Sequence, residues 1–113
     1  MFSTQSKEMP FGLITGTKWE LLQLLAKKRQ SPSELAKKLK TTIANVSSQL
    51  RLLQTAGLIK SEKARLGKGK PRTVYSLADR FAFIVLLADG IAKAERIKLT
   101  TDQLKVLKKW LKA

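Results

Sequence analysis

Residues 31–60 read SPSELAKKLKTTIANVSSQLRLLQTAGLIK, and their spacing decides the fold. Ser31 precedes Pro32 and stands three residues before Glu34. A serine oxygen in that place accepts an orphan N–H of the first turn, while the glutamate reaches back to the cap; proline suits the first helical position. A short helix is therefore expected from 32 to about Lys40, with Leu35, Ala36 and Leu39 on its buried side. Thr41 or Thr42 caps the next helix, and Gly57 stops it. Within it Ile43, Val46, Leu50 and Leu53 recur at i, i+3, i+7 and i+10, which places them on one core-facing side. The opposite side carries Ala44, Asn45, Ser48, Arg51 and Thr55, flanked by Ser47 and Gln49. All are small or can form hydrogen bonds.

Upstream, TKWE (17–20) predicts another capped start, with Thr17 as cap and Glu20 reaching back, followed by Trp19, Leu22, Leu25 and Ala26 at helical spacing. Residues 1–16 are weakly patterned and read as a partly extended arm. Downstream, LIKSEKARL (58–66) and TVYSL (73–77) are strand-like and flank a loop with Gly67, Gly69 and Pro71. A hairpin is the reading. From Ala78 to Leu99 the chain is rich in apolar residues, and helical spacing sorts them into two faces. Phe81, Ile84, Val85, Ala88 and Ile91 make one; Phe83, Leu86, Leu87, Ala94 and Ile97 make the other. A helix apolar on two sides must be covered on two sides, so a second copy of the chain is expected there. The rival is a strand over 81–87, because branched and aromatic residues crowd that run. TTDQ (100–103) announces a last helix, with Leu104, Leu107 and Leu111 as its stripe.

Composition narrows the function. The chain has 113 residues and no cysteine or histidine, which removes disulfides, thiolate metal sites and the usual general base. Its eight acids are scattered singly, so neither a carboxylate pair nor a cation loop is visible, and catalysis is not expected. No apolar run approaches the length of a membrane span, and no secretory signal is seen, so an intracellular, cytoplasmic place at the nucleoid is expected. The formal net charge of +15 favours a polyanionic partner. Nucleic acid leads; a membrane surface is second, and it would want one strongly basic amphipathic helix with aromatics facing it. The segment ARLGKGKPRTVY (64–75) concentrates the charge: four cations and no acid in a loop with glycines and a proline. If extended, it would turn Lys68, Lys70 and Arg72 to one side.

The fragments SELAKKL, VSSQLRLL, TAGLIK and VYSL, in that order, resemble the winged helix-turn-helix of ArsR- and MarR-type transcriptional regulators over about residues 17–78. The resemblance implies a mainly α fold with a small β-hairpin wing: an arm over 1–16, the winged domain over 17–78, and C-terminal helices for dimerisation over 79–113. It also implies that the helix near 43–56 enters the major groove of double-stranded DNA. The contacts expected there come from Thr42, Ala44, Asn45, Ser47, Ser48, Gln49 and Arg51. Asn45 and Gln49 suit adenine, Arg51 suits guanine or phosphate, and the serines suit phosphate or either base. Lys68, Lys70 and Arg72 would lie on the backbone or in the minor groove. The homodimer would meet through Phe81, Phe83, Ile84, Leu87 and Ile91. Metal-sensing relatives of this type use cysteine or histidine, and this chain has neither, so no metal or other cofactor is expected; no residue points to a small-molecule effector. Two other readings compete with a specific regulator. One is an abundant architectural protein with little sequence preference. The other is a winged helix that docks a protein of the transcription machinery.

Overall fold

In the computed structural model, which describes residues 15–65, 67 and 69–113, three helices precede two hairpins and a fourth helix follows them. The order is α1 (Gly16–Lys27), α2 (Pro32–Leu39), α3 (Ile43–Thr55), β1 (Ile59–Ala64), β2 (Arg72–Leu77), β3 (Phe81–Ala88), β4 (Ile91–Lys98) and α4 (Thr101–Leu111). The expected N-terminal arm lies outside the described residues but for its last two, and Gly16 already belongs to α1. The chain divides into two compact units, one ending at Ala78 and one over Asp79–Ala113.

The first unit is winged-helix-like. Leu21, Leu22 and Leu25 from α1, Leu35 and Ala36 from α2, and Val46, Leu50 and Leu53 from α3 close one core. Leu58, Ile59, Ala64 and Val74 add the hairpin to it. Each deeply buried leucine contributes roughly 1.5–3 kcal/mol of transfer free energy. The caps of α2 and α3 stand where expected: Ser31 accepts from the Glu34 N–H, Glu34 accepts from the Ser31 N–H, and Thr42 accepts from the Asn45 N–H. The cap of α1 differs. Thr15 occupies the N-cap without a side-chain bond, and Thr17 lies inside the helix. Ile43 also departs from expectation, being 53% exposed: as the first residue of α3 it sits at the rim of the stripe.

Among the described residues, Gln30 is the one large polar side chain buried in this core, at 1% exposure. Its backbone pairs with Tyr75 in both directions, at 3.0 and 2.8 Å, which adds a one-residue rung beside the β1–β2 hairpin. Its Nε2 donates to the Leu24 carbonyl at 2.9 Å, and its Oε1 accepts from Lys38. The side chain thus ties the end of α1 to α2 while the backbone ties both to the wing. A buried amide whose donor and acceptor are both met is stabilising, whereas losing one partner costs about 1–3 kcal/mol.

The helix expected over 78–99 does not form. Residues 81–98 are an antiparallel hairpin, Phe81 opposite Lys98 and Ala88 opposite Ile91. The cause is Asp89-Gly90. Their φ values of 46° and 81° are left-handed, as the two central residues of a type I′ turn require, and this dipeptide is among the best hairpin formers. Side chains then alternate with period two, and both helical faces dissolve. The expected interface set splits: Phe81, Phe83 and Leu87 share one face, and Ile84 and Ile91 share the other. Helix α4 follows, capped by Thr100 and Gln103 as predicted, but none of its residues is buried. The C-terminal unit is therefore a hairpin plus one helix, not a set of helices.

Candidate nucleic-acid interface

α2 and α3 are joined by a tight turn. Lys40 takes a left-handed φ of 54°, and the Thr41 N–H donates to the Ala36 carbonyl at 3.0 Å. This turns the chain sharply enough for Val46, Leu50 and Leu53 to face the core while the other side of α3 stays in water. Ala44, Asn45, Ser48, Arg51 and Thr55 are all exposed on that side, as the spacing predicts. Thr42 is exposed and is committed to its cap. The Asn45 Nδ2 donates to the Thr41 Oγ1 at 3.0 Å, which orients the amide; a second N–H and the Oδ1 remain for a base edge. The Thr55 Oγ1 donates to the Arg51 carbonyl, leaving the guanidinium exposed.

Two residues of the set sit differently. Ser47 is half-buried on one flank. Gln49 is half-buried on the other, and its Oε1 is enclosed with no hydrogen-bond partner among the described residues. Of the contacts expected on α3, Ala44, Asn45, Ser48 and Arg51 are the ones exposed on the outward side. Leu52 joins them: half-exposed beside Ser48, it is an apolar group of the kind that contacts a thymine methyl. Its spacing, four residues after Ser48 and seven after Asn45, puts it on that side of the helix.

The wing is fixed to α3 by Gln54, whose Nε2 donates to the Ser61 Oγ of β1 at 3.2 Å. β1 and β2 pair from Ile59–Leu77 to Ala64–Arg72, and Lys63 Nζ donates to Thr73 Oγ1 across them at 2.8 Å. Lys70 and Arg72 are exposed, while Lys68 lies outside the described residues. The alternation expected from Lys68 therefore lies partly outside the described residues; among those described, strand geometry begins at Arg72, and Gly67 and Gly69 have φ of 95° and 145°. Lys60, Lys63 and Arg65 add exposed cations from the β1 side. They were legible only as strand residues until the hairpin placed them beside the loop.

The electrostatics favour an anion throughout this unit. Between Leu35 and Ala78 the sequence has ten lysines and arginines and one acid, Glu62. That acid is held by Arg29 at 3.1 Å. Both groups are about half exposed, so the bond adds little stability in salt, but it places a cation beside the only carboxylate near the wing. Glu34, at the cap of α2, is held below the usual carboxylate range chiefly by the Ser31 backbone N–H.

Residues 13–80, which span this unit, match the HVO_A0114 family. The chain belongs to that family. No curated protein matches it. Among solved structures, this HVO_A0114 member is similar to ZitR of Lactococcus lactis. A cysteine-to-serine ZitR mutant is 31% identical over 66% of this chain and 50% of its own, with a TM-score of 0.52. The same kind of mutant in complex with DNA is 30% identical over 68% of this chain and 51% of its own, with a TM-score of 0.50. The chain thus spans about half the length of the ZitR chains it matches. Among the described residues no helix is long and apolar enough to cross a membrane.

Proposed function

We propose that this HVO_A0114 member is a homodimeric transcriptional regulator of the ArsR/MarR kind, acting without catalysis as a cytoplasmic repressor that occupies promoter DNA. The observation that carries this reading is the exposed Asn45, Ser48 and Arg51 face of α3 beside a basic wing, both held by one buried core. The likeness to a ZitR chain solved with DNA supports it. α3 enters the major groove, where Arg51 meets guanine or phosphate and Asn45 meets adenine. Lys70 and Arg72 follow the backbone or enter the minor groove. Two copies place their α3 helices roughly 34 Å apart on a pseudo-palindromic site. Fluorescence anisotropy with DNA from upstream of the protein's own gene, against a scrambled duplex, tests this at two salt concentrations. Tighter binding to the upstream DNA that persists at physiological salt is expected. Equal binding that collapses for both as salt rises would overturn it.

That second outcome is the signature of an architectural protein, and one observation favours such a role. Ser47 is half-buried and the Gln49 carbonyl is turned inward, which leaves few groups able to read bases.

A further inference from the structure

Strand β3 reads FAFIVLLA and is the only one of the four described strands with no charged residue. It pairs with β4 alone. The two-residue turn makes Ala88 and Ile91 a hydrogen-bonded pair, and the Leu99 N–H donates to the Arg80 carbonyl at 2.9 Å at the other end. Hydrogen-bonded pairs alternate along an antiparallel ladder. The even-numbered residues of β3 therefore turn their backbone groups to β4. Those of Phe81, Phe83, Val85 and Leu87 point away, and no backbone group of the described residues meets them.

Sheet edges of this kind are usually guarded by lysine, proline or a bulge, because an open edge templates another strand. β3 has none of these over eight residues. Its distal half is also exposed on both faces, from 46% at Val85 to 74% at Leu87. A two-stranded hairpin is marginal in water by itself; a third and fourth strand stabilise it.

We infer that β3 pairs antiparallel with β3 of a second copy, making a four-stranded sheet across a twofold axis. The occupant follows from charge. Each copy carries +15, so contact through most of its surface sets like charges together. β3 meets its own copy with no charge on either side. DNA finds no cation on this strand, and β4 offers Lys93, Arg96 and Lys98 to any identical neighbour. The register that uses every outward group pairs Phe81 with Leu87 of the second copy and Phe83 with Val85, with Ile84 opposite itself. Aromatic against branched side chains are favourable cross-strand neighbours. The contact is isologous, so it closes at two copies. This rests on the two-copy reading above and replaces its helical interface with a strand edge.

Sedimentation of the full chain over a range of concentrations tests it, alongside V85K and V85E. The parent is expected to be a dimer. Each variant alone is expected to be a monomer, because like charges then sit diagonally across the axis, and an equimolar mixture of the two is expected to regain the dimer. Circular dichroism checks folding; if V85K unfolds, L87K and L87E at the more exposed position take its place. A parent dimer that neither variant weakens overturns the β3 pairing and leaves the two-copy reading standing. A parent that sediments as a monomer at every concentration overturns both. DNA binding by a monomeric variant to a single half-site, unchanged from the parent, separates either failure from a failure of DNA recognition.

Discussion

The two units solve the same problem in opposite ways. In the first, three helices and a wing bury a leucine-rich core, two helix starts are capped, and a buried Gln30 joins three elements. Among the described residues of the second, Ile97 is the only buried apolar one, while Leu87, Trp110 and Leu111 are about three-quarters exposed or more. The second unit is the richer of the two in apolar residues, yet it closes around almost none of them. A segment that exposes branched and aromatic side chains on both faces of a hairpin is built to be finished by something outside itself. The winged unit buries most of its large apolar side chains, and the C-terminal unit leaves most of its own exposed.

The contrast is broken most directly by cutting into each unit. Leu50→Ala should cost about 2–5 kcal/mol in chemical denaturation, because it opens a cavity where α3 meets the core. Leu111→Ala, at a site that touches little, should stay within about 0.5 kcal/mol. Equal losses at the two positions would mean that the C-terminal helix is as well packed as the first unit.

The next effect separates the display surfaces. Replacing Lys70 and Arg72 together by alanine should weaken binding to every duplex alike and make the salt dependence shallower by about two in log–log slope, read by anisotropy. Arg51→Ala should instead erode preference, by about 1–3 kcal/mol between a preferred and a scrambled site. A wing variant that changes preference without changing the slope would reverse these roles.

Gly90→Ala should cost about 1 kcal/mol, since φ of 81° is left-handed and a Cβ there is strained although nothing crowds it. The loss should appear in the hairpin's amide exchange and leave the α3 amides protected. The smallest effect is at the cap of α2. The Glu34 carboxyl is held below its usual range, so its contribution is complete above about pH 4.3, where an unfolded glutamate titrates, and is lost as pH falls through the folded value. Glu34→Gln should therefore lower stability at neutral pH by a few tenths of a kcal/mol to about 1 kcal/mol, and its gap from the parent should close in acid. A gap that widened in acid would give the carboxyl the wrong sign.

The winged unit was largely legible in the sequence because its signals are local. Ser31 with Glu34 and the threonine before Ile43 announce helices by hydrogen bonds that span three residues. The 46–50–53 spacing names the buried side of α3, and with it the exposed side that carries Asn45, Ser48 and Arg51. Charge in residues 64–75 marks the wing from composition alone. The second unit was misread where two local signals competed. Apolar residues in 81–97 fit helical spacing, while Asp89-Gly90 asked for a turn; the turn won because its two left-handed residues cannot continue a helix. Tertiary structure alone decided the rest. It turned the Gln49 carbonyl inward and buried Gln30 among partners as distant along the chain as Lys38 and Tyr75. Caps and faces depend on neighbours along the chain, which a sequence displays. The fate of a polar group or a strand edge depends on what arrives from elsewhere, and only the folded chain determines that.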